Sequence, residues 1–238
     1  MQSDVNWSAY AKAYDIMADN NPAYQELLNI FIKHAEGWSF SESDTIADIG
    51  AGTGNFSIQC AALFPLATVL HIEPDSIMNS RAVKKMKERK IENIIIIKEY
   101  ADSADLTFNN LSAAVCVHSL YSFPSPQSII KKIFSWLRPG GILFACDLGR
   151  VLDVRDWRRY MFNEMKKRIG LIRTIHRFIK GSVVSYQNRR ITQMQLSGKL
   201  WLHDLTEYQH TFKTNGFNIV TAETCYRGYS DLVVCKKP

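Results

Sequence analysis

The 238-residue sequence predicts a doubly wound α/β fold: five parallel strands and a terminal antiparallel hairpin in one seven-stranded sheet, with a helical cover in front and a helical insertion near the end. Three observations predict it. Short apolar runs bounded by turn residues alternate with helix-length segments as far as Leu148. A glycine-rich loop follows the first run, and the last two runs are joined through Tyr226 to Ser230. The alternation implies parallel strands with right-handed crossovers. The closing link is too short for a crossover and suits a hairpin.

In chain order, Trp7 to His34 reads as helix. Tyr10, Tyr14 and Met17 share one face, and Pro22 starts a second stretch carrying Leu27, Leu28 and Phe31. Strands are then expected at Thr45–Ile49, Thr68–Ile72, Ile94–Lys98, Ala113–Val117 and Ile142–Cys146. Ile129, Ile130, Ile133, Phe134 and Leu137 fall on one helical face, which Arg138-Pro139-Gly140-Gly141 breaks before the fifth strand. Asp204 to Asn215 reads as a helix stopped by Gly216, and Asn218–Cys225 and Leu232–Cys235 as the hairpin. The expected organisation is one domain over 1–238: a cover at 1–43, a core at 44–148, an insertion at 149–203 and a closing unit at 204–238.

Composition narrows the function classes. With 46% hydrophobic and 22% charged residues, the chain is neither disordered nor fibrous. No apolar run approaches the roughly 18 residues of a membrane span. Met1 to Asn6 lacks the basic start and apolar stretch of a leader. Five cysteines without a C-x-x-C pair lie mostly in apolar runs, which points to a soluble protein of a reducing, cytoplasmic compartment. The net charge of +6 is unevenly placed. Between Arg150 and Leu200 stand 13 Lys/Arg and three acids, a balance of +10, so the remainder carries −4.

The stretch Asp48-Ile49-Gly50-Ala51-Gly52-Thr53-Gly54 leaves the first strand and opens a helix, the position where a doubly wound sheet binds its ligand. Glu73 ends the second strand, 19 residues beyond Gly54, where a carboxylate can accept hydrogen bonds from both ribose hydroxyls. Loop and acid together indicate an adenosine-type cofactor. Asp48 would repel a pyrophosphate but favours a cationic ligand, and no G-x-x-x-x-G-K-[ST] phosphate loop is present. S-adenosylmethionine, with a sulfonium and an ammonium, fits these constraints.

The loop, Glu73-Pro74-Asp75 with Met78, Ala101-Asp102-Ser103-Ala104-Asp105-Leu106 and Trp136-Leu137-Arg138-Pro139-Gly140-Gly141 together resemble the class I S-adenosylmethionine-dependent methyltransferases. The likeness is strongest to their small-molecule group, which includes quinone and natural-product methyltransferases. It covers Asp44 to Leu148 well and Asp204 to Lys237 loosely, and implies a Rossmann-like sheet. It implies that Gly50, Ala51 and Gly52 line the methionine part of the cofactor, with Asp48 orienting the loop. Glu73 would hold the ribose, Asp102 with Ser103 would meet the adenine edge, and Pro74 and Met78 would also contact the cofactor. Tyr10-x-x-x-Tyr14-Asp15 would form a covering helix, with Tyr14 near the methionine carboxylate. The product would be S-adenosylhomocysteine and a methylated small molecule.

His118 and Tyr121 follow the fourth strand and are the candidate catalytic residues; His118 also faces the cofactor by the same resemblance. Tyr10, Tyr121, Phe123 and His203 are the candidate substrate contacts. Neither an Asn-Pro-Pro-Tyr sequence nor a Pro-Cys nucleophile is present, which argues against nucleic-acid methylation, and no metal-ligand spacing occurs. In the basic segment, Trp157, Met161, Met165, Ile169, Ile172, His176 and Ile179 form one stripe, giving a basic amphipathic helix or two helices broken near Gly170. Such a segment suits a lid, then an anionic substrate or carrier, then an anionic membrane surface. The alternatives are an RNA or protein methyltransferase that docks through it, and a non-catalytic S-adenosylmethionine binder.

Overall fold

The structure, a computed structural model, describes residues 5–106 and 110–238. The opening residues on which the leader reading rests, 1–4, lie outside the described residues. Seven strands form one sheet in the order β3-β2-β1-β4-β5-β7-β6. They are β1 Thr45–Ile49, β2 Thr68–Ile72, β3 Ile94–Ile97, β4 Leu111–Val117, β5 Leu137–Leu148, β6 Asn218–Cys225 and β7 Ser230–Lys236. The first five run parallel, and β7 is antiparallel to both β5 and β6. This is the sheet expected from the alternation and the short closing link.

Strand alternation distributes the core over both faces. Ile46, Val69, Ala113, Val115 and Phe144 pack on one side, against Leu27 and Phe31 of α2 (Pro22–Ala35) and Phe56 of α3 (Asn55–Leu63). Ala47, Ile49, Ile72, Ala114 and Leu143 pack on the other, against Ile130 and Ile133 of α5 (Pro126–Trp136) and Tyr208 and Phe212 of α9 (Leu205–Thr214). The remaining helices are α1 (Trp7–Ala18), α4 (Ser76–Glu88), α6 (Val154–Ile169), α7 (Leu171–Lys180) and α8 (Ser182–Leu196). Side-chain caps fix five helix starts: Asn6 for α1, Asn21 for α2, Asp75 for α4, Asp153 for α6, and a reciprocal Asp204–Glu207 box for α9.

Two local readings are corrected. The breaker Arg138-Pro139-Gly140-Gly141 ends α5 as expected but lies within β5, because Leu137 already pairs with Leu111 before the register shifts to Ala113 with Ile142. The striped segment is the two helices broken at Gly170, as the second alternative had it, but a third helix, α8, follows and the apolar stripe is not continuous. Gly170 takes φ +80° and ψ 164°, so the face that buries Trp157, Met161 and Met165 ends there, and Ile172 and Ile179 stand exposed. No helix among the described residues is long and apolar enough to cross a membrane.

Candidate active site

A cavity of about 1370 Å³ lies over the carboxyl ends of β1, β2 and β4. Its floor comes from the loops that leave those strands. The wall opposite comes from Tyr10, Tyr14 and Met17 of α1, Trp157 and Met161 of α6, and Asn188 and Ile191 of α8. Fourteen residues singled out in the sequence line it: Tyr10, Tyr14, Asp48, Gly50, Ala51, Gly52, Glu73, Pro74, Met78, Asp102, Ser103, His118, Tyr121 and Phe123.

His203 does not line it, which corrects its assignment as a substrate contact. Its side chain is buried, with Nδ1 3.2 Å from Asp231 Oδ2 and the ring stacked 4.1 Å from Tyr208. It stands just before α9, and Asp231 on β7 holds it in the core.

At the loop, Gly50, Gly52 and Gly54 all have positive φ, a conformation that glycine takes without Cβ strain. The Gly50 and Ala51 N–H groups donate to the Ile72 carbonyl at 3.0 and 3.1 Å, which ties the loop to the end of β2. Glu73 is 9% exposed. Its Oε2 accepts from the Gly52 N–H at 3.0 Å and its Oε1 from the Asp75 N–H at 2.8 Å. A carboxylate oxygen has two lone pairs, so both oxygens keep acceptor capacity for a pair of hydroxyls. Burial raises the Glu73 pKa, and Asp75 adds to the rise.

Asp48 is 2% exposed, and burial lifts its pKa to about 7. Its Oδ2 accepts from Ser57 Oγ at 2.6 Å, and Ser57 Oγ lies 2.8 Å from His71 Nδ1. Ser57 and His71 do not line the cavity. Burial lowers the His71 pKa to about 4, so its ring is neutral at pH 7 and the trio braces the loop through hydrogen bonds. Asp48 forms no salt bridge among the described residues. These are features that S-adenosylmethionine would complement: a cation beside Asp48, a diol on Glu73, and backbone that approaches closely at Gly50 and Gly52.

The raised Asp48 pKa has a testable sign. A carboxyl whose folded pKa exceeds its unfolded value stabilises the fold at low pH, and that contribution is lost as pH rises from the unfolded toward the folded value. Asp48→Asn should therefore melt several degrees higher than the unaltered chain at pH 8 and nearly level with it at pH 4, while binding S-adenosylmethionine more weakly. Melting curves at both pH values, with calorimetric titration of the cofactor, check this. An equal shift at both pH values would show that Asp48 does not titrate in this range.

At the β4 end, His118 has φ +52°. Its Nε2 is 2.9 Å from Ser230 Oγ, its ring meets Tyr226 edge-on at 4.6 Å, and burial lowers its pKa to about 4. With Nε2–H donated to Ser230, Nδ1 is the acceptor of a ring that stays neutral at pH 7. Tyr121 is buried, which holds its phenol protonated.

Sequence reasoning missed Asn188, Trp157 and Tyr226 as cavity residues, and the pairing of Asp15 with Lys85. The Tyr10 hydroxyl donates to Asn188 Oδ1 at 3.0 Å, and the Asn6 N–H donates to Gln187 Oε1 at 3.0 Å, joining α1 to α8. Lys85 of α4 reaches Asp15 Oδ1 at 2.9 Å, Thr53 Oγ1 at 3.0 Å and Asn55 Oδ1 at 2.7 Å, clamping α1 onto the glycine loop. The sequence signal for the clamp was Asp15 beside Tyr14; its partner lies 70 residues away.

Comparison with known proteins agrees with this geometry. The family profile described as Methyltransferase domain matches residues 23–222. Trans-aconitate 2-methyltransferase of Deinococcus radiodurans is 30% identical over 99 residues, covering 41% of this chain and 35% of that protein. Malonyl-[acyl-carrier protein] O-methyltransferase of Priestia megaterium is 26% identical over 141 residues, covering 59% of this chain and 48% of that protein. The chain thus spans half or less of the length of these curated relatives. The crystal structure of a SAM-dependent methyltransferase from Aquifex aeolicus shares the fold at TM-score 0.58 and 12% identity, over 94% of this chain and 97% of that one.

Proposed function

The chain belongs to the methyltransferase-domain family, the class I S-adenosylmethionine-dependent kind that its motifs resemble, and we propose that it methylates an oxygen, nitrogen or carbon atom of a small anionic metabolite. The observation that supports this reading is the volume of the cavity, which exceeds the roughly 300–1,000 Å³ of an ordinary ligand pocket and so has room for a cofactor and an acceptor together. Tyr10 with Asn188 and Asn6 with Gln187 bridge its top, and a base or peptide presented by a macromolecule would have to part them. Arg158 and Arg190 line it, in a position to receive a negative group of the acceptor. The relatives named for trans-aconitate and for a malonyl-carrier agree with a small acceptor, free or carried.

When bound, S-adenosylmethionine supplies a methyl group made electrophilic by its sulfonium, and S-adenosylhomocysteine remains. In this reading Glu73 takes the ribose hydroxyls, with Pro74 and Met78 beside it. Asp102 and Ser103 border the adenine, and Gly50, Ala51, Gly52 and Tyr14 border the methionine end. Asp48 compensates positive charge. Tyr10, Tyr121 and Phe123 wall the acceptor. His118 accepts or orients its proton through Nδ1. Residues 1–43 and 149–203 act as cover and lid on the 44–148 core within one domain that 204–238 completes. The main work of the site is alignment, since an activated methyl group needs a nucleophile held in line more than it needs strong base.

Methyl-labelled S-adenosylmethionine incubated with the protein and a fractionated extract of the source organism tests the reading. Label should appear in the acidic small-metabolite fraction. Label in RNA or protein would replace it with a macromolecular methyltransferase, and cofactor binding without label anywhere with a non-catalytic binder. Once the acceptor is isolated, His118→Asn, which tolerates the positive φ, should lower kcat by roughly 100-fold or more. The cofactor Kd should stay within about twofold; equal loss in both would make His118 a structural residue.

A further inference from the structure

Helix α7 carries a surface that the cavity does not use. At about 100° per residue, Leu171, Ile172, Ile175 and Ile179 fall within one arc. They are 48, 84, 45 and 68% exposed. The next arc carries His176, Lys180, Arg173 and Arg177, all exposed. The side turned inward is a third one. Thr174 is fully buried, and the half-buried Phe178 ring sits 5.3 Å from Phe162 of α6 and lines the cavity. The isoleucine arc is therefore not a displaced core face. The helix already has its packed side, and the apolar arc points out of the molecule between that side and the cations.

From Lys166 to Lys180 there are six Lys/Arg and no Asp or Glu. The acids that face this stretch are Glu164, whose Oε1 takes Lys167 Nζ at 2.7 Å, and Asp19 after α1, which lies in the field of Arg177. On α6, Arg159 is exposed as well.

We propose that α7 is an interfacial helix that seats the protein on an anionic bilayer, its isoleucine arc in the acyl boundary and its cations among the lipid phosphates. Paired apolar and basic arcs on one short helix match the two layers of such a surface, headgroup and hydrocarbon. A second copy laid on the same face would set one run of six cations against another. A nucleic acid would use the cations but leave the isoleucines in water. A bilayer meets both arcs without any shape requirement. Because Phe178 of the same helix lines the cavity, docking would place one cavity wall against the membrane surface.

Co-sedimentation of the full chain with vesicles tests this and needs no turnover, so its outcome is independent of the methyl-transfer reading. Vesicles of one-third phosphatidylglycerol in phosphatidylcholine should carry down the protein, and phosphatidylcholine alone should not. Replacing Arg173, Arg177 and Lys180 with Gln should weaken binding about a hundredfold, at roughly fivefold per cation. Ile172→Ser with Ile179→Ser should weaken it roughly tenfold or more at the same melting temperature, since both side chains are already in water. No sedimentation with either vesicle would overturn the proposal, as would equal binding to both. Undiminished binding of the serine variant would also overturn it, by reducing the contact to charge alone. So would a concentration-dependent dimer in light scattering that the serine variant dissolves while vesicles stay unbound.

Discussion

Glu73→Ala is expected to weaken S-adenosylmethionine binding by roughly 100- to 1,000-fold, the sum of lost charge-assisted hydrogen bonds and of a donor left unpaired. The carboxylate does two jobs in one place. It holds the Gly52 N–H at 3.0 Å and the Asp75 N–H at 2.8 Å, and it keeps acceptor capacity for a ribose diol. Alanine removes both, so the loop keeps its Gly50 and Ala51 bonds to the Ile72 carbonyl but loses the one at Gly52, where the cofactor would bridge loop and strand end. The fold should survive, since Glu73 lines the cavity and water can enter where its side chain stood. Glu73→Gln should fall between the two, as the amide keeps one acceptor oxygen but turns a donor toward the Gly52 or Asp75 N–H. The raised pKa adds a sign. As pH falls through it the carboxyl protonates and gives up acceptor capacity, so affinity should drop on the acid side for the unaltered chain and stay flat for Glu73→Ala. Calorimetric titration with S-adenosylmethionine and S-adenosylhomocysteine across pH reads all of this. Unchanged affinity in Glu73→Ala would remove the ribose assignment.

The strands and the glycine loop were legible because their determinants are local. Each strand is a short apolar run closed by turn residues, and Asp48 to Gly54 and Glu73 sit at adjacent strand ends. What the sequence hid depends on long-range pairing or on a change of phase. Gly170 resets the helical phase, so a stripe that is regular on paper is buried on α6 and exposed on α7. Helix α8 escaped notice as a separate element because two of its four buried positions are amides. Gln187 and Gln195 lie in register with Val184 and Ile191, and they are buried because each accepts a backbone N–H from elsewhere, Asn6 and Leu152. A hydrophobic pattern cannot register a side chain buried for its hydrogen bond. The same holds for His203, whose burial is set by Asp231, and for Lys85, which meets Asp15 only once α1 lies across the glycine loop.

Gly50→Ala should be the most damaging single methyl in the cavity floor. A Cβ at Gly50 would stand 2.5 Å from Ser119 Cβ and 2.9 Å from its Oγ, with φ at +69°. Ser119 cannot easily yield, because it is buried and its Oγ donates to the Ile49 carbonyl at 2.9 Å and lies 3.0 Å from Cys116 Sγ. The ends of β1 and β4 thus touch through a glycine on one and a serine on the other. The methyl should force them apart at about 2–4 kcal/mol, overpacking and left-handed strain combined, a loss of roughly 4–15 °C in Tm for a chain of this size. Cofactor binding should fail with it. Ser119→Gly in the same chain would vacate the space and should return all but the ~1 kcal/mol of backbone strain, a coupling that a double-mutant cycle isolates. Gly52→Ala separates the two effects. It has φ +56°, but no atom lies within 4 Å of the added Cβ, and the residue lines the cavity. It should therefore melt within a few degrees of the unaltered chain and yet bind S-adenosylmethionine poorly, because the methyl occupies the space the cofactor needs. If Gly50→Ala and Gly52→Ala instead lost stability equally, the abutment of β1 on β4 would not be what makes glycine necessary at position 50.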